Sequence, residues 1–103
     1  MARIGIFGAG YVGLVTGTCF AELGHDVVIR DVVDEKVARL RAGDVPIYEP
    51  GLEELLEKNA ARMTFTLDVA EAVDGAEFVF VCVPLKMVGV TGSPVRPLAV
   101  VPG

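Results

Sequence analysis

The chain has 103 residues, enough for one small domain and too few for an oxidoreductase that carries separate cofactor and substrate domains. Apolar residues make up 52%, so an ordinary hydrophobic core can form, while a net charge of −5 argues against a nucleic-acid surface and gives no support to binding an anionic membrane. Two cysteines, Cys19 and Cys82, stand far apart without CxxC spacing, which speaks against a zinc site and against a secreted disulfide scaffold.

Met1-Ala2-Arg3 runs straight into an apolar strand, Ile4 to Phe7, which stops at Gly8. That start lacks the h-region of a signal peptide, and no apolar run is long enough to span a bilayer, so a cytoplasmic protein with no membrane partner is expected. From Tyr11 the period becomes helical: Val12, Val15, Cys19, Phe20 and Leu23 form one apolar stripe, and Gly24 follows where a C′ glycine belongs. Asp26 to Arg30 reads as a second strand ending at Asp31. Asp34 is the expected N-cap of a short helix that turns Val37 and Leu40 inward and ends at Gly43.

Pro46-Ile47-Tyr48-Glu49-Pro50-Gly51 is a turn-rich link, with Pro50 suited to the first turn of a helix carrying Leu52, Leu55 and Leu56 on its buried stripe. Met63 to Thr66 is a brief strand. Asp68 with Glu71 predicts a capping box that opens another short helix. Phe78 to Val83 is wholly apolar and reads as a buried parallel strand containing Cys82. Beyond it the composition changes. No acidic residue follows, Lys86 and Arg96 are the only charges, and four prolines (Pro84, Pro94, Pro97, Pro102) interrupt any period. Residues 84–103 are expected to be an irregular tail, with one β-like piece around Met87 to Val90, after a unit covering 1–83.

Alternating strands and helices imply an α/β fold: a truncated Rossmann-type parallel sheet with helices on both faces. Right-handed crossovers predict the strand order 3-2-1-4. Within it, Gly8-Ala9-Gly10-Tyr11-Val12-Gly13 is G-x-G-x-x-G, following a strand and opening a helix. Gly8 is expected to make the tight turn, Gly10 to let the backbone approach a pyrophosphate, and Gly13 to pack helix on sheet. The Tyr11 and Val12 amides, at the positive end of the helix dipole, would face the phosphates. Asp31 would accept the ribose hydroxyls and repel a 2′-phosphate, favouring NAD over NADP, and Lys36 is within reach of the same region. The weaker explanation is that the glycines serve only turns and packing. His25 is expected to serve the turn after Gly24, and both cysteines to be small buried apolar residues on the helix face and in the strand. A methyltransferase also places an acidic residue after its second strand, but the glycine spacing favours a dinucleotide.

The run Gly8 to Gly17, with Cys19 and Ala21-Glu22-Leu23-Gly24-His25, resembles the opening of the UDP-glucose 6-dehydrogenases. Pro46-Ile47-Tyr48-Glu49-Pro50-Gly51-Leu52-Glu53-Glu54-Leu55 resembles that family's second signature, which generic Rossmann proteins and dehydrogenases of the 6-phosphogluconate type lack. GDP-mannose 6-dehydrogenases share the layout, but Ala9 and Leu14-Val15-Thr16-Gly17 favour the UDP-glucose branch. The resemblance implies oxidation of the C6 hydroxyl of UDP-glucose to a carboxylate with two NAD, through a thioester on a cysteine that lies beyond residue 103. It therefore implies no catalytic residue in this chain and UDP-glucose as a partner only of a longer enzyme. The alternative is an NAD- or ADP-binding module without chemistry, or an inactive remnant. The family continues from this strand into Gly-Thr-Pro, whereas here Val83 is followed directly by Pro84-Leu85-Lys86, which suggests a changed reading frame or an abnormal terminus. A fourth strand left without its neighbour predicts a homodimer through that edge, or cover by the tail.

Overall fold

A computed structural model describes residues 1–46 and 49–82. The expected piece around Met87 to Val90, the residue Val83, the tail and the centre of the 46–51 link lie outside the described residues. Four strands, β1 (Arg3–Phe7), β2 (Asp26–Arg30), β3 (Met63–Thr66) and β4 (Phe78–Val81), form one sheet in the order β3-β2-β1-β4. All three pairings are parallel, with Ile6 opposite Ile29 on one side and Phe80 on the other. This is the expected 3-2-1-4 order. Parallel neighbours need crossovers, and the helices α1 (Tyr11–Glu22), α2 (Asp34–Arg41), α3 (Leu52–Lys58) and α4 (Val69–Val73) lie in those crossovers. A single 3-10 turn, Ala60–Arg62, leads into β3.

The two faces of the sheet are set by the alternation along β1. Ile4 and Ile6 face α1, and the core gathers there with Leu14, Val27, Ile29 and Val37. Each such side chain contributes about 1.5–3 kcal/mol by leaving water. Gly5 faces α4, where a Cβ would run into the Ala72 carbonyl.

The buried face of α1 is not the expected apolar stripe. Gly13, Leu14, Gly17, Thr18 and Ala21 are buried, whereas Leu23 is 73% exposed. Cys19 is exposed too, so its expected place in the core is wrong. Val12, Val15 and Phe20 only flank the core. The reason is distance: a Cβ on Gly17 would lie 2.8 Å from Ile29 Cδ1 and 3.1 Å from Ile6 Cδ1. A helix this close to its sheet must turn its small residues inward. Thr18 is tolerated there because its hydroxyl donates to the Leu14 carbonyl at 2.6 Å.

Several termini also shift. Gly24 takes φ +98 and closes α1 as expected, with Gly24 N–H on Ala21 O and His25 N–H on Phe20 O. The N-cap of α2 is Val33 and not Asp34, which lies inside the first turn beside Glu35. The N-cap of α3 is Gly51, at φ +83, so Pro50 stands outside the helix. Leu52 and Leu56 are buried and Leu55 partly so. Asp68 does cap α4, accepting the Ala70 N–H at 2.9 Å, but the box with Glu71 is not closed. The Asp68 N–H goes to the Thr66 hydroxyl at 3.0 Å.

The strand expected over 78–83 is shorter and less buried than its apolar run suggested. β4 ends at Val81, and Phe78 is 56% exposed. Among the described residues no strand lies on its outer edge. Phe80 is half-buried, stacked on Phe20 at 5.4 Å. Cys82 is buried as expected but sits one residue past the strand, its N–H donating to Phe7 O at 2.7 Å.

Candidate cofactor site

The turn between β1 and α1 carries three glycines, and the fold itself requires two of them. Gly8 takes φ +111, the left-handed region that side chains avoid. Gly13 has no room, because a Cβ there would collide with the Gly8 carbonyl oxygen. Gly10 is bound by neither constraint. Its φ is −79, and a Cβ would meet nothing within 4 Å. The protein itself therefore gives no reason for glycine at position 10, and the clear space above it is open to a ligand. Gly10 is also the N-cap of α1, and no side chain caps the helix. The amides of its first turn, at Tyr11, Val12 and Gly13, point along the helix axis toward that space.

Asp31 closes the opposite side. It lies just past β2 and is buried, its Oδ2 accepting the Ala9 N–H at 2.8 Å and its Oδ1 the Val33 N–H at 2.9 Å. One carboxylate thus fixes both the glycine turn and the entry to α2. Lys36 Nζ is 3.7 Å from Oδ2. Burial works to raise the Asp31 pKa, but the Ala9 and Val33 amides and the Lys36 charge outweigh it and hold the carboxyl below its ordinary value. A carboxylate offers about four lone-pair positions. Two are taken by amides, which leaves acceptor capacity for hydroxyl groups.

The structure brings all seven expected residues, Gly8, Gly10, Tyr11, Val12, Gly13, Asp31 and Lys36, to the carboxyl ends of β1 and β2, where α/β sheets take ligands. Two contributors were not legible in the sequence. Ala9 links the turn to Asp31 through its backbone, and an amide leaves no mark on residue type. Glu49 comes from the second signature: its negative charge pushes the pKa of the Tyr11 phenol up.

His25 lies away from this site and holds the start of the chain, its Nδ1 accepting the Ala2 N–H at 2.9 Å. Burial pushes the Cys82 thiol up, the opposite of what a nucleophile needs. A cavity of about 750 Å³ between α2, α3 and β3, lined by Leu40, Leu56 and Phe65 among others, shares no residue with the glycine turn. Among the described residues no cluster of His, Cys, Asp and Glu suits a metal ion, and no helix is long and apolar enough to cross a membrane.

Comparison with known proteins agrees with this geometry. Residues 2–90 match the family described as UDP-glucose/GDP-mannose dehydrogenase family, NAD binding domain. The chain is 54% identical over 83 residues to a UDP-glucose 6-dehydrogenase of Pseudomonas aeruginosa, covering 79% of this chain and 18% of that protein. It is 46% identical over 89 residues to UDP-glucose 6-dehydrogenase TuaD of Bacillus subtilis, covering 84% and 19%. Among solved structures, a UDP-glucose dehydrogenase of Pyrobaculum islandicum superposes with a TM-score of 0.77 at 45% identity, over 82% of this chain and 20% of that one. A GDP-mannose dehydrogenase of Pseudomonas aeruginosa, solved as a ternary complex, gives 0.73 at 40%, over 81% and 19%. The chain spans about a fifth of the length of these relatives. By its fold, its glycine turn and these matches, the chain belongs to the UDP-glucose/GDP-mannose dehydrogenase family, as the NAD binding domain of its amino-terminal region.

Proposed function

We propose that the chain holds NAD for the oxidation of UDP-glucose at C6, in the UDP-glucose branch of the family, and that residues 1–83 are the binding unit. NAD supplies a hydride acceptor when bound. The chain's own residues do the holding. The Tyr11, Val12 and Gly13 amides take the pyrophosphate across the clear space at Gly10, and the α1 dipole adds to the attraction. Asp31 accepts the adenosine ribose hydroxyls with its remaining lone pairs, and Lys36 supports the same group. The ionised Asp31 repels a 2′-phosphate, which disfavours NADP. The observation that carries this reading is Gly10, whose missing side chain neither the backbone angle nor the packing requires.

A second reading concerns the chain by itself. Neither cysteine suits nucleophilic work: Cys82 is buried with a raised pKa, and Cys19 is on the exposed side of α1. Alone, the 103 residues bind cofactor without turnover, and UDP-glucose binds only in a longer enzyme. Two unpaired cysteines also fit the reducing cytoplasm. Two copies pair through the outer edge of β4, where Phe78 is exposed and no strand lies among the described residues.

Calorimetric titration of the chain with NAD, NADP and UDP-glucose tests both readings. Binding of NAD alone, lost in Asp31→Ala, is the expected result. A folded chain that ignores NAD, or binds NADP equally well, refutes the assignment.

A further inference from the structure

Among the described residues the sheet has two outer strands, β3 and β4, and their outer edges differ. Along β3 the backbone groups alternate between β2 and the outside. The Thr66 carbonyl turns inward and accepts the Asp31 N–H, so the groups of Met63 and Phe65 turn outward. Two of these outward groups are already taken. The Met63 N–H donates to the Ala60 carbonyl of the 3-10 turn. The Phe65 carbonyl accepts a hydrogen bond from Arg41 Nε at 2.8 Å, in a part-buried position. Arg41 is the last residue of α2, so its guanidinium reaches the edge from a helix end 24 residues back in the chain. Among the described residues no strand covers this edge, and a cavity of about 750 Å³ opens beside it, lined by Arg41, Thr64 and Phe65 among others. Closing the edge therefore falls to the Arg41 side chain.

The outer edge of β4 is different. Phe78 and Val79 are exposed there. Arg3 and Arg30, which also bond backbone carbonyls, reach Asp74 and Leu67 and not β4. β3 and β4 are each four residues long and run parallel in one sheet. Laid against β3 of the next copy, β4 would continue the sheet in the same sense. Such a contact joins two different surfaces and does not close, so copies can be added without limit. We propose that Arg41 guards the outer edge of β3 against β4 of a second copy. Its hydrogen bond fills the Phe65 carbonyl, and an incoming strand would have to strip water from its charge. Association through β4 then stops at two copies. The inference deepens the pairing proposed at β4 and rests on that edge being within reach of another chain.

Sedimentation equilibrium of the full 103-residue chain over a wide range of concentration tests this, with Arg41→Met, Arg41→Lys and the Arg41→Met/Phe78→Lys double variant. Methionine keeps an apolar stem and supplies no donor, whereas lysine keeps a donor and a charge. Arg41 is exposed, so neither replacement disturbs the core, and circular dichroism with thermal melts checks that each variant is folded. The parent is expected to stop at a dimer. Arg41→Met is expected to exceed about twofold the monomer mass and to keep growing with concentration. Arg41→Lys is expected to match the parent even where its melting temperature falls as far as that of Arg41→Met, since association follows the edge and not the stability. The double variant is expected to lose the larger species, because growth uses β4. An Arg41→Met no larger than the parent overturns the proposal. So does an Arg41→Lys that grows like it, or larger species that survive in the double variant. If the parent is monomeric and Arg41→Met grows, the β4-to-β4 dimer fails while the role of Arg41 stands. A dimeric parent whose Arg41→Met variant also stays a dimer gives the reverse.

Discussion

The Asp31 carboxylate accepts the backbone N–H of Ala9 at 2.8 Å, which ties the end of β2 to the glycine turn after β1. The contact joins two residues 22 apart in the chain and leaves the turn pre-formed. The same carboxylate holds the Val33 N–H at 2.9 Å, so removing it orphans two amides. Asp31→Ala is expected to cost about 1–3 kcal/mol of stability at neutral pH, besides its effect on binding. The sign of the pH dependence follows from the lowered pKa of Asp31. Its contribution is present above the unfolded carboxyl value and disappears as pH falls through the folded one. Denaturant melts at pH 7 and in the acid range check this: the gap between parent and variant should narrow on acidification, and a constant gap contradicts the assignment.

Gly10 and Gly13 separate ligand from fold. A Cβ at 13 collides with a backbone carbonyl that cannot yield, so Gly13→Ala is expected to lose about 3 kcal/mol or more, or not to fold. A Cβ at 10 meets no protein atom, so Gly10→Ala should change stability by only about 0.5 kcal/mol. Its NAD affinity should nonetheless fall at least tenfold, on the order of 1.4 kcal/mol. Equal stability losses in the two variants, by thermal melts, would refute this division of labour.

Asn59 is 2% exposed and joins the ends of two helices. Its Nδ2 donates to Glu22 Oε2 at 2.7 Å and to the Leu55 carbonyl at 2.9 Å, and Lys58 Nζ reaches the other Glu22 oxygen at 2.7 Å. Asn59→Ala is expected to destabilise by about 1–3 kcal/mol through the polar groups left unpaired. Glu22, whose pKa the Lys58 and Asn59 hydrogen bonds lower, should lose its share as pH falls through its folded value. Chemical denaturation of the variant at neutral and acid pH measures both.

The two thiols should respond differently to a labelling reagent. Cys19 is exposed, while Cys82 is buried with its pKa raised by burial. Under native conditions iodoacetamide should modify one site, Cys19, with Cys82 reacting only after denaturant is added. Peptide mapping that finds Cys82 modified first would show that the end of β4 opens readily.

The outer edge of β4, beside which no strand lies among the described residues, should govern association. Phe78 is 56% exposed at the start of that strand, and a charge there should discourage edge pairing while removing little buried area. The parent is expected to show a concentration-dependent dimer by sedimentation equilibrium, and Phe78→Lys to remain monomeric with its melting temperature nearly unchanged. A parent that stays monomeric at high concentration removes the proposal.

Much of this domain was legible in its residue order. Alternating β- and α-type periods, with one permitted handedness of crossover, lead directly to the strand order 3-2-1-4. Gly8, Gly24 and Gly43 stand where the backbone itself needs a positive φ, a local demand written into residue type. Other features depended on how closely the elements approach. Hydrophobic periodicity placed Cys19 and Leu23 on the buried side of α1, but the buried face is Gly13, Leu14, Gly17, Thr18 and Ala21, because the close approach at Gly13 and Gly17 leaves no room for a side chain and so fixes which way the helix turns. The apolar run at Phe78 suggested burial, whereas its exposure depends on which strand lies beside it. The Asp31–Ala9 contact joins segments remote in sequence through a backbone amide that no side chain announces. Local chemistry therefore decided which elements form and where the turn lies, and tertiary packing decided which faces are buried and which groups hold the turn open.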